Sequence, residues 1–184
     1  GDTRVVAYVA AQFSGDQAET MQKYGVTSVV ICPDPDKGGD NGAISSVKRL
    51  WKHGITPYVT DRLPDGLDPD EFLLKYGLDG WKEHVKQTSD GLVYLALHLR
   101  EKEEPSLAEM TPESPAYVVD KAVRYVAAEM GVMLAGPNRD QIVKAIAKRT
   151  QRTLKSIDSL LSAAAPKKKD VATDSSPGPP VPAD

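Results

Sequence analysis

The stretch Val29-Val-Ile-Cys-Pro-Asp-Pro-Asp-Lys-Gly-Gly39 decides how this chain is interpreted. It completes a run of apolar and β-branched residues, 26–32, that is typical of a strand buried on both faces of a parallel sheet. Asp34 and Asp36 follow at the carboxyl end of that strand, where open α/β sheets place their ligands. Gly38 and Gly39 remove side-chain bulk, so a phosphate could approach the backbone before the next helix.

The spacing of Asp34 and Asp36 predicts a pair of convergent carboxylates. Residues two apart in an extended segment point the same way. Such carboxylates repel each other unless a hard divalent cation neutralises them, and Mg²⁺ prefers oxygen ligands. An ordinary Asp/Gly/Pro turn between a strand and a helix is the alternative, and the D-x-D pattern alone leaves it open.

A second acidic stretch, Leu63-Pro-Asp-Gly-Leu-Asp-Pro-Asp-Glu71, follows the next predicted strand at residues 55–59. We therefore expect its loop to lie at the same sheet edge as Asp34. Asp68, Pro69 and Glu71 form a near-ideal helix start, with Asp68 as the N-cap and Glu71 three residues beyond it. Capping by Asp68 leaves Asp70 available to face the first acidic pair.

The first half of the chain alternates strand and helix signals, which predicts an α/β fold with a mostly parallel sheet. Ser14 with Gln17 forms a capping box that begins a helix, and Gly25 and Gly54 supply two helix ends. The predicted elements are a strand at 4–9, a helix at 14–24, strands at 26–32 and 55–59, a helix through 43–51 and a short helix at 71–76.

The second half of the chain is predicted to be helical. Residues 81–88 begin it, 92–102 continue it, and apolar stripes indicate three further helices between Pro115 and Leu161. We divide the chain into an α/β domain at 1–90, a helical subdomain at 91–165 and a disordered tail at 166–184. That tail is rich in proline and lysine and is too poor in large apolar residues to form a core.

Composition excludes several classes of protein. The 184 residues are 40% hydrophobic and 27% charged, which is typical of a globular chain. A single cysteine, Cys32, excludes an internal disulfide framework and a cysteine-based zinc cluster. No apolar run approaches the roughly 18 residues of a membrane span, and no leader peptide opens the chain. We therefore expect no membrane partner and a cytoplasmic location.

The charge is distributed unevenly along the chain, whose net charge is −3. Residues 1–90 hold ten basic and fourteen acidic residues, whereas residues 139–169 hold nine basic and only two acidic ones. The basic segment could contact nucleic-acid phosphates, although a helical bundle packed on the sheet is the simpler explanation of it. The candidate contacts are Arg139, Lys144, Lys148, Arg149, Arg152 and Lys155.

The two acidic stretches, with the helix and strand between them, resemble the TOPRIM domain of bacterial-type or phage DNA primases. The pattern D-x-D-x-x-G is shared with topoisomerases and nucleases of this fold, whereas L-P-D-G-x-D-P-D-E is much more specific to primases. The similarity covers roughly residues 4–87. It implies a Rossmann-like TOPRIM sheet followed by a helical extension.

This resemblance implies the synthesis of short RNA primers on single-stranded DNA from ribonucleoside triphosphates, with Mg²⁺ or Mn²⁺ as cofactor and a replicative helicase as partner. Asp34 and Asp36 match the metal-binding pair of the family. Asp68 and Asp70 match the further acidic residues of its catalytic centre.

The chain departs from the family pattern in one respect. The first TOPRIM strand of the family ends in a glutamate-glycine motif, and no such pair precedes Asp34. We expect the chain to begin downstream of that motif, to lack the first strand of the sheet and to be inactive alone. Two alternatives are a non-catalytic module that binds nucleic acid or a replication partner, and another TOPRIM enzyme such as a nuclease or topoisomerase.

Overall fold

The computed structural model describes residues 13–164. This part of the chain contains seven α-helices and three β-strands. In chain order they are α1 (Gly15–Lys23), β1 (Ser28–Ile31), α2 (Lys37–Lys52), β2 (Thr56–Thr60), α3 (Pro69–His84), β3 (Thr88–Asp90), α4 (Gly91–His98), α5 (Ala116–Met130), α6 (Asn138–Thr150) and α7 (Leu154–Ala164).

The described strands form one sheet in the order β1-β2-β3. β1 and β2 are parallel, with Ile31 opposite Val59, and they are joined by the helix α2. β3 runs antiparallel to β2, with Tyr58 opposite Asp90. The predicted α/β class with a helical extension is confirmed. The predicted strand at residues 4–9 and the predicted tail at 166–184 lie outside the described residues.

Local helix signals in the sequence operate as predicted. Ser14 caps α1, and the reciprocal hydrogen bonds with Gln17 are both present. Asp68 and Glu71 form the same capping box at the start of α3. Gly54 follows α2 with a φ of +71°, a left-handed conformation that glycine adopts without a steric penalty.

Three predicted helical segments have different bounds in the structure. The helix predicted at 71–76 extends as α3 to His84, with a non-helical Gly77 inside it, and the segment predicted to be helical up to residue 88 ends in strand β3. Thr88-Ser-Asp90 lacks a strand-like apolar pattern, and it is a strand because its backbone pairs with β2. The helix predicted at 92–102 ends at His98, because Leu99 has extended backbone and packs into the core.

One large apolar core joins the sheet to the helices. It extends from Val47 of α2 and Val59 of β2 through α4 to the buried faces of α5, α6 and α7. Gly91 allows α4 to lie directly on β2, because a Cβ at this position would come 2.7 Å from Pro57. The core therefore continues across residue 90, and the division into domains there stays a prediction. Within residues 13–164, no helix combines the length and the apolar character needed to span a membrane.

Candidate metal centre

The parallel pairing of β1 and β2 places the loops that follow them at the same edge of the sheet. Asp34 and Asp36 lie in the first loop, and both are exposed. Asp36 is the N-cap of α2, and its Oδ1 accepts a hydrogen bond from the amide of Gly39 at 2.7 Å. The carboxylate of Asp34 makes no hydrogen bond or ion pair among the described residues.

The first acidic loop is closely packed against its own backbone. A Cβ at Gly39 would lie 2.2 Å from the carbonyl oxygen of Asp34, a distance that no side chain can adopt. A Cβ at Gly38 would lie 3.1 Å from Oδ1 of Asp36. The sequence suggested that these glycines leave room for a phosphate. The structure provides a more immediate reason, because a side chain at residue 39 would displace the backbone that carries Asp34.

The carboxylates of the second acidic loop differ in their partners: some bind other groups of the protein, and one faces solvent. Oδ1 of Asp68 accepts a hydrogen bond from the amide of Glu71 at 2.8 Å, so this carboxylate holds the start of α3. Asp65 pairs with Lys75 at 2.9 Å, and the hydrogen bond from this lysine lowers the pKa of Asp65. Asp70, in the first turn of α3, is exposed and makes no hydrogen bond or ion pair with the described residues.

These residues fit an open metal site and not a closed one. Within the part of the chain that the structure describes, no three His, Cys, Asp or Glu side chains come together as a ready-made metal site. Mg²⁺ is usually held by one or two carboxylates and keeps several of its waters. The D-x-D loop can supply such a pair, since among the described residues Asp34 has no hydrogen bond or ion pair and only one oxygen of Asp36 accepts a hydrogen bond.

Sequence reasoning missed a polar residue that links the two loops. Arg62, just beyond β2, donates one hydrogen bond from Nη1 to the carbonyl oxygen of Pro35 at 3.1 Å. Its Nη2 contacts Oδ2 of Asp40, in the first turn of α2, at 2.5 Å. The only signal in the sequence is a lone basic residue between the second strand and the acidic stretch, and a separation of 22 residues from Asp40 hides the pairing.

Asp40 is also held from α4, by Tyr94. The hydroxyl group of Tyr94 donates to Oδ1 of Asp40 at 3.0 Å, and its ring stacks on His98 with centroids 4.0 Å apart. Burial raises the pKa of Tyr94 and lowers the pKa of His98. The network at neutral pH therefore consists of one Arg62–Asp40 ion pair beside two uncharged rings.

Three of the six basic residues proposed to contact nucleic acid are held within the helical half. Arg139 pairs with Asp158 at 2.8 Å, Arg152 pairs with Asp120, and Arg149 donates to the carbonyl oxygen of Ala108. The first contact joins α6 to α7. The other two join the carboxyl-terminal end of α6 to α5 and to the segment that precedes α5. The charge of these arginines is thus engaged in packing.

The three lysines of the same set are different. Lys144, Lys148 and Lys155 are exposed, and none of them has a hydrogen bond or an ion pair with another described residue. Lys148 and Arg149 line an open groove of about 470 Å³ together with Leu97 and Met110. These lysines are the members of the set that are free to contact a polyanion.

Comparison with known proteins defines the class of the amino-terminal part of the chain. Residues 1–73 match the protein family described as Toprim-like. This match contains the whole D-x-D loop and the second acidic stretch up to the first turn of α3. The amino-terminal part of the chain is therefore a Toprim-like domain.

The Toprim-like domain resembles that of bacterial DNA primases. A DNA primase of Halalkalibacterium halodurans is 34% identical over 85 residues, which are 46% of this chain and 14% of that protein. One from Chlamydia pneumoniae is 31% identical over 121 residues, 64% of this chain and 20% of the relative. One from Staphylococcus epidermidis is 27% identical over 103 residues, 56% of this chain and 17% of the relative. The matched region thus spans between about a seventh and a fifth of the length of these relatives.

Proposed function

We propose that this chain supplies the metal-binding part of a DNA primase, an enzyme that makes short RNA primers on single-stranded DNA from ribonucleoside triphosphates. The observation that carries the proposal is the pair of acidic loops at one edge of the β1–β2 sheet. Both loops lie in the segment that matches the Toprim-like family, and the similar proteins named above are DNA primases.

The four aspartates have different tasks in this proposal. Asp34 and Asp36 bind a divalent cation, Mg²⁺ or Mn²⁺. Asp70 approaches the same cation or the substrate from the second loop, and Asp68 mainly fixes the start of α3 that carries Asp70. When bound, the cation would neutralise charge on the triphosphate and assist deprotonation of the attacking hydroxyl.

The protein requires no side-chain nucleophile for this reaction. Phosphoryl transfer depends on positioning and on electrostatic stabilisation, and exposed carboxylates at a sheet edge are suited to holding the cation that provides it. We assign the single-stranded DNA contact to Lys144, Lys148 and Lys155, because these lysines are exposed and have no ion pair within the part of the chain that the structure describes. A replicative helicase as partner, which the resemblance to DNA primases implies, and a cytoplasmic location are part of the same proposal.

Primer synthesis by the protein that carries this chain tests the proposal. We expect Asp34→Asn and Asp36→Asn to lower the rate about 100-fold or more, because cation stabilisation of a phosphoryl-transfer transition state contributes several kcal/mol. Asp79→Asn is the matched control, since the side chain of Asp79 is 99% exposed and pairs, among the described residues, with Lys82 alone. Full activity of both D-x-D variants would contradict the proposed function.

A further inference from the structure

We propose that Arg62 is a positioning residue that holds the D-x-D loop in the conformation needed to bind a cation. The inference rests on the proposed function in so far as it concerns the cation. The ordering of the loop by Arg62 can be tested without any metal.

The first argument is the point at which Arg62 contacts the loop. Its Nη1 donates to the carbonyl oxygen of Pro35, the residue between the two aspartates of the D-x-D motif. Pro33 and Pro35 have no amide hydrogen, so at these two residues the backbone can form hydrogen bonds only through its carbonyl oxygens. An arginine side chain, which donates hydrogen bonds, can therefore bind this segment at those oxygens. A hydrogen bond to the Pro35 carbonyl fixes the peptide plane that leads directly into Asp36.

The second argument is the fixed position of Asp40, the other residue that Arg62 contacts. The side chain of Asp40 is only 17% exposed, and its two oxygens accept from Arg62 and Tyr94 respectively. Tyr94 belongs to α4, whose residues pack in the large core. Asp40 is therefore fixed relative to the core. Because Arg62 contacts both Asp40 and Pro35, it restrains Pro35 relative to the core as well.

The third argument is the shape of the arginine side chain. A guanidinium group is planar, and its two terminal nitrogens can hold two acceptors at once in a defined geometry. Here the acceptors are a carboxylate of α2 and a backbone carbonyl of the loop before α2. A lysine would keep the positive charge at residue 62 but would not reproduce this double contact.

A positioning role and a purely electrostatic role for Arg62 predict opposite effects of its removal on cation binding. A positive charge near a cation site repels the cation, so its removal should strengthen binding if charge is all that Arg62 contributes. If Arg62 orders the loop, its removal should weaken binding despite the loss of repulsion. The sign of the change therefore separates the two roles.

The experiment compares Arg62→Gln and Arg62→Lys with wild type by ¹⁵N relaxation of the chain without metal. We expect the heteronuclear NOE of the Asp34 and Asp36 amides to fall in Arg62→Gln and to fall less in Arg62→Lys. Arg124→Gln is the control, because Arg124 is exposed on α5 and has no partner among the described residues. Unchanged NOE values at Asp34 and Asp36 in Arg62→Gln would overturn the proposal.

Mn²⁺ binding, measured from the EPR signal of the free ion, provides the second readout. We expect Arg62→Gln to weaken Mn²⁺ binding about tenfold, as is usual when a residue that supports a metal ligand is removed. Equal or tighter binding by Arg62→Gln would overturn the positioning role. If wild type itself does not bind Mn²⁺, the proposed function fails, and the NOE measurement still decides whether Arg62 orders the loop.

Discussion

The acidic edge of the sheet and the basic helices use their charges differently. At the edge, Asp34 and Asp70 are exposed and have no hydrogen bond or ion pair with any residue in the range 13–164. In the helical half, Arg139 and Arg152 are paired with aspartates of neighbouring helices. A count of charges along the sequence treats the two regions alike, whereas the structure separates charge that is available to a ligand from charge that holds helices together.

The largest expected effect concerns the core that joins the two regions. Leu95 of α4 is completely buried, so Leu95→Ala should lower the free energy of unfolding by about 2–5 kcal/mol. The control is Leu74→Ala, since Leu74 is 88% exposed and its truncation should change stability by less than about 0.5 kcal/mol. Urea unfolding of both variants measures the difference, and equal stability would contradict the shared core.

The second effect concerns the acidic edge itself. Gly39→Ala should destabilise the chain by about 1–3 kcal/mol, because the new methyl group would collide with the backbone of Asp34. It should also weaken Mn²⁺ binding. Gly15→Ala is the matched control, since apart from its chain neighbours and its own helix backbone no described atom lies within 4 Å of the added methyl group. Wild-type stability and wild-type Mn²⁺ binding by Gly39→Ala would show that the loop is not closely packed.

The third effect separates the two kinds of basic residue. Arg152→Gln should lower the free energy of unfolding by about 1 kcal/mol, because it removes the ion pair with Asp120 and a contact with the carbonyl of Ala116. Lys148→Gln should leave stability within about 0.5 kcal/mol of wild type, because this exposed lysine has no hydrogen bond or ion pair among the described residues. Urea unfolding of the two variants measures both values.

For the binding of single-stranded DNA we expect the reverse order of effects, with Lys148→Gln changing affinity more than Arg152→Gln. Lys148→Gln should weaken binding and make it less dependent on salt, because one phosphate contact is lost. Salt titrations followed by fluorescence anisotropy measure this slope. If Lys148→Gln binds DNA as wild type does and Arg152→Gln does not, the division into available and engaged charge is wrong.

The smallest effect is a pH dependence of stability that originates in His98. Burial lowers the pKa of this residue in the folded state, so between the folded value and the unfolded value near 6.5 the unfolded chain binds more protons. Stability is therefore complete above about pH 6.5 and declines as the pH falls below that value. Unfolding by urea at pH 7.5 and pH 5.5 should show this decline in wild type and a smaller one in His98→Gln. An equal decline in the two proteins would exclude His98 as its source.

Features encoded by neighbouring residues were predictable from the sequence. The capping boxes of Ser14 and Asp68 depend on side chains three residues away, and the alternation of strands and helices depends on local apolar patterns. The same is true of the loop positions of Asp34 and Asp36. Strand β3 was missed because Thr88-Ser-Asp90 becomes a strand only through pairing with β2.

Features that depend on contacts between distant residues were not predictable. The partners of Arg62 are 22 and 27 residues away, and those of Arg152 are 32 and 36 residues away. Nothing in the local sequence distinguishes Arg152, which pairs with Asp120, from Lys148, which has no ion pair in the described part of the chain. The placement of the two acidic loops at one sheet edge could therefore be predicted from the sequence, whereas the contact of Arg62 between them could not.

The binding of a divalent cation at the acidic edge is the central claim, and paramagnetic broadening by Mn²⁺ tests it most directly. In ¹H–¹⁵N spectra of the 184-residue chain, substoichiometric Mn²⁺ should broaden the amide signals of Asp34, Asp36 and Asp70 first and leave those of α6 and α7 sharp. Asp34→Asn should remove this selectivity. Uniform broadening, or the same broadening in Asp34→Asn, would contradict the account.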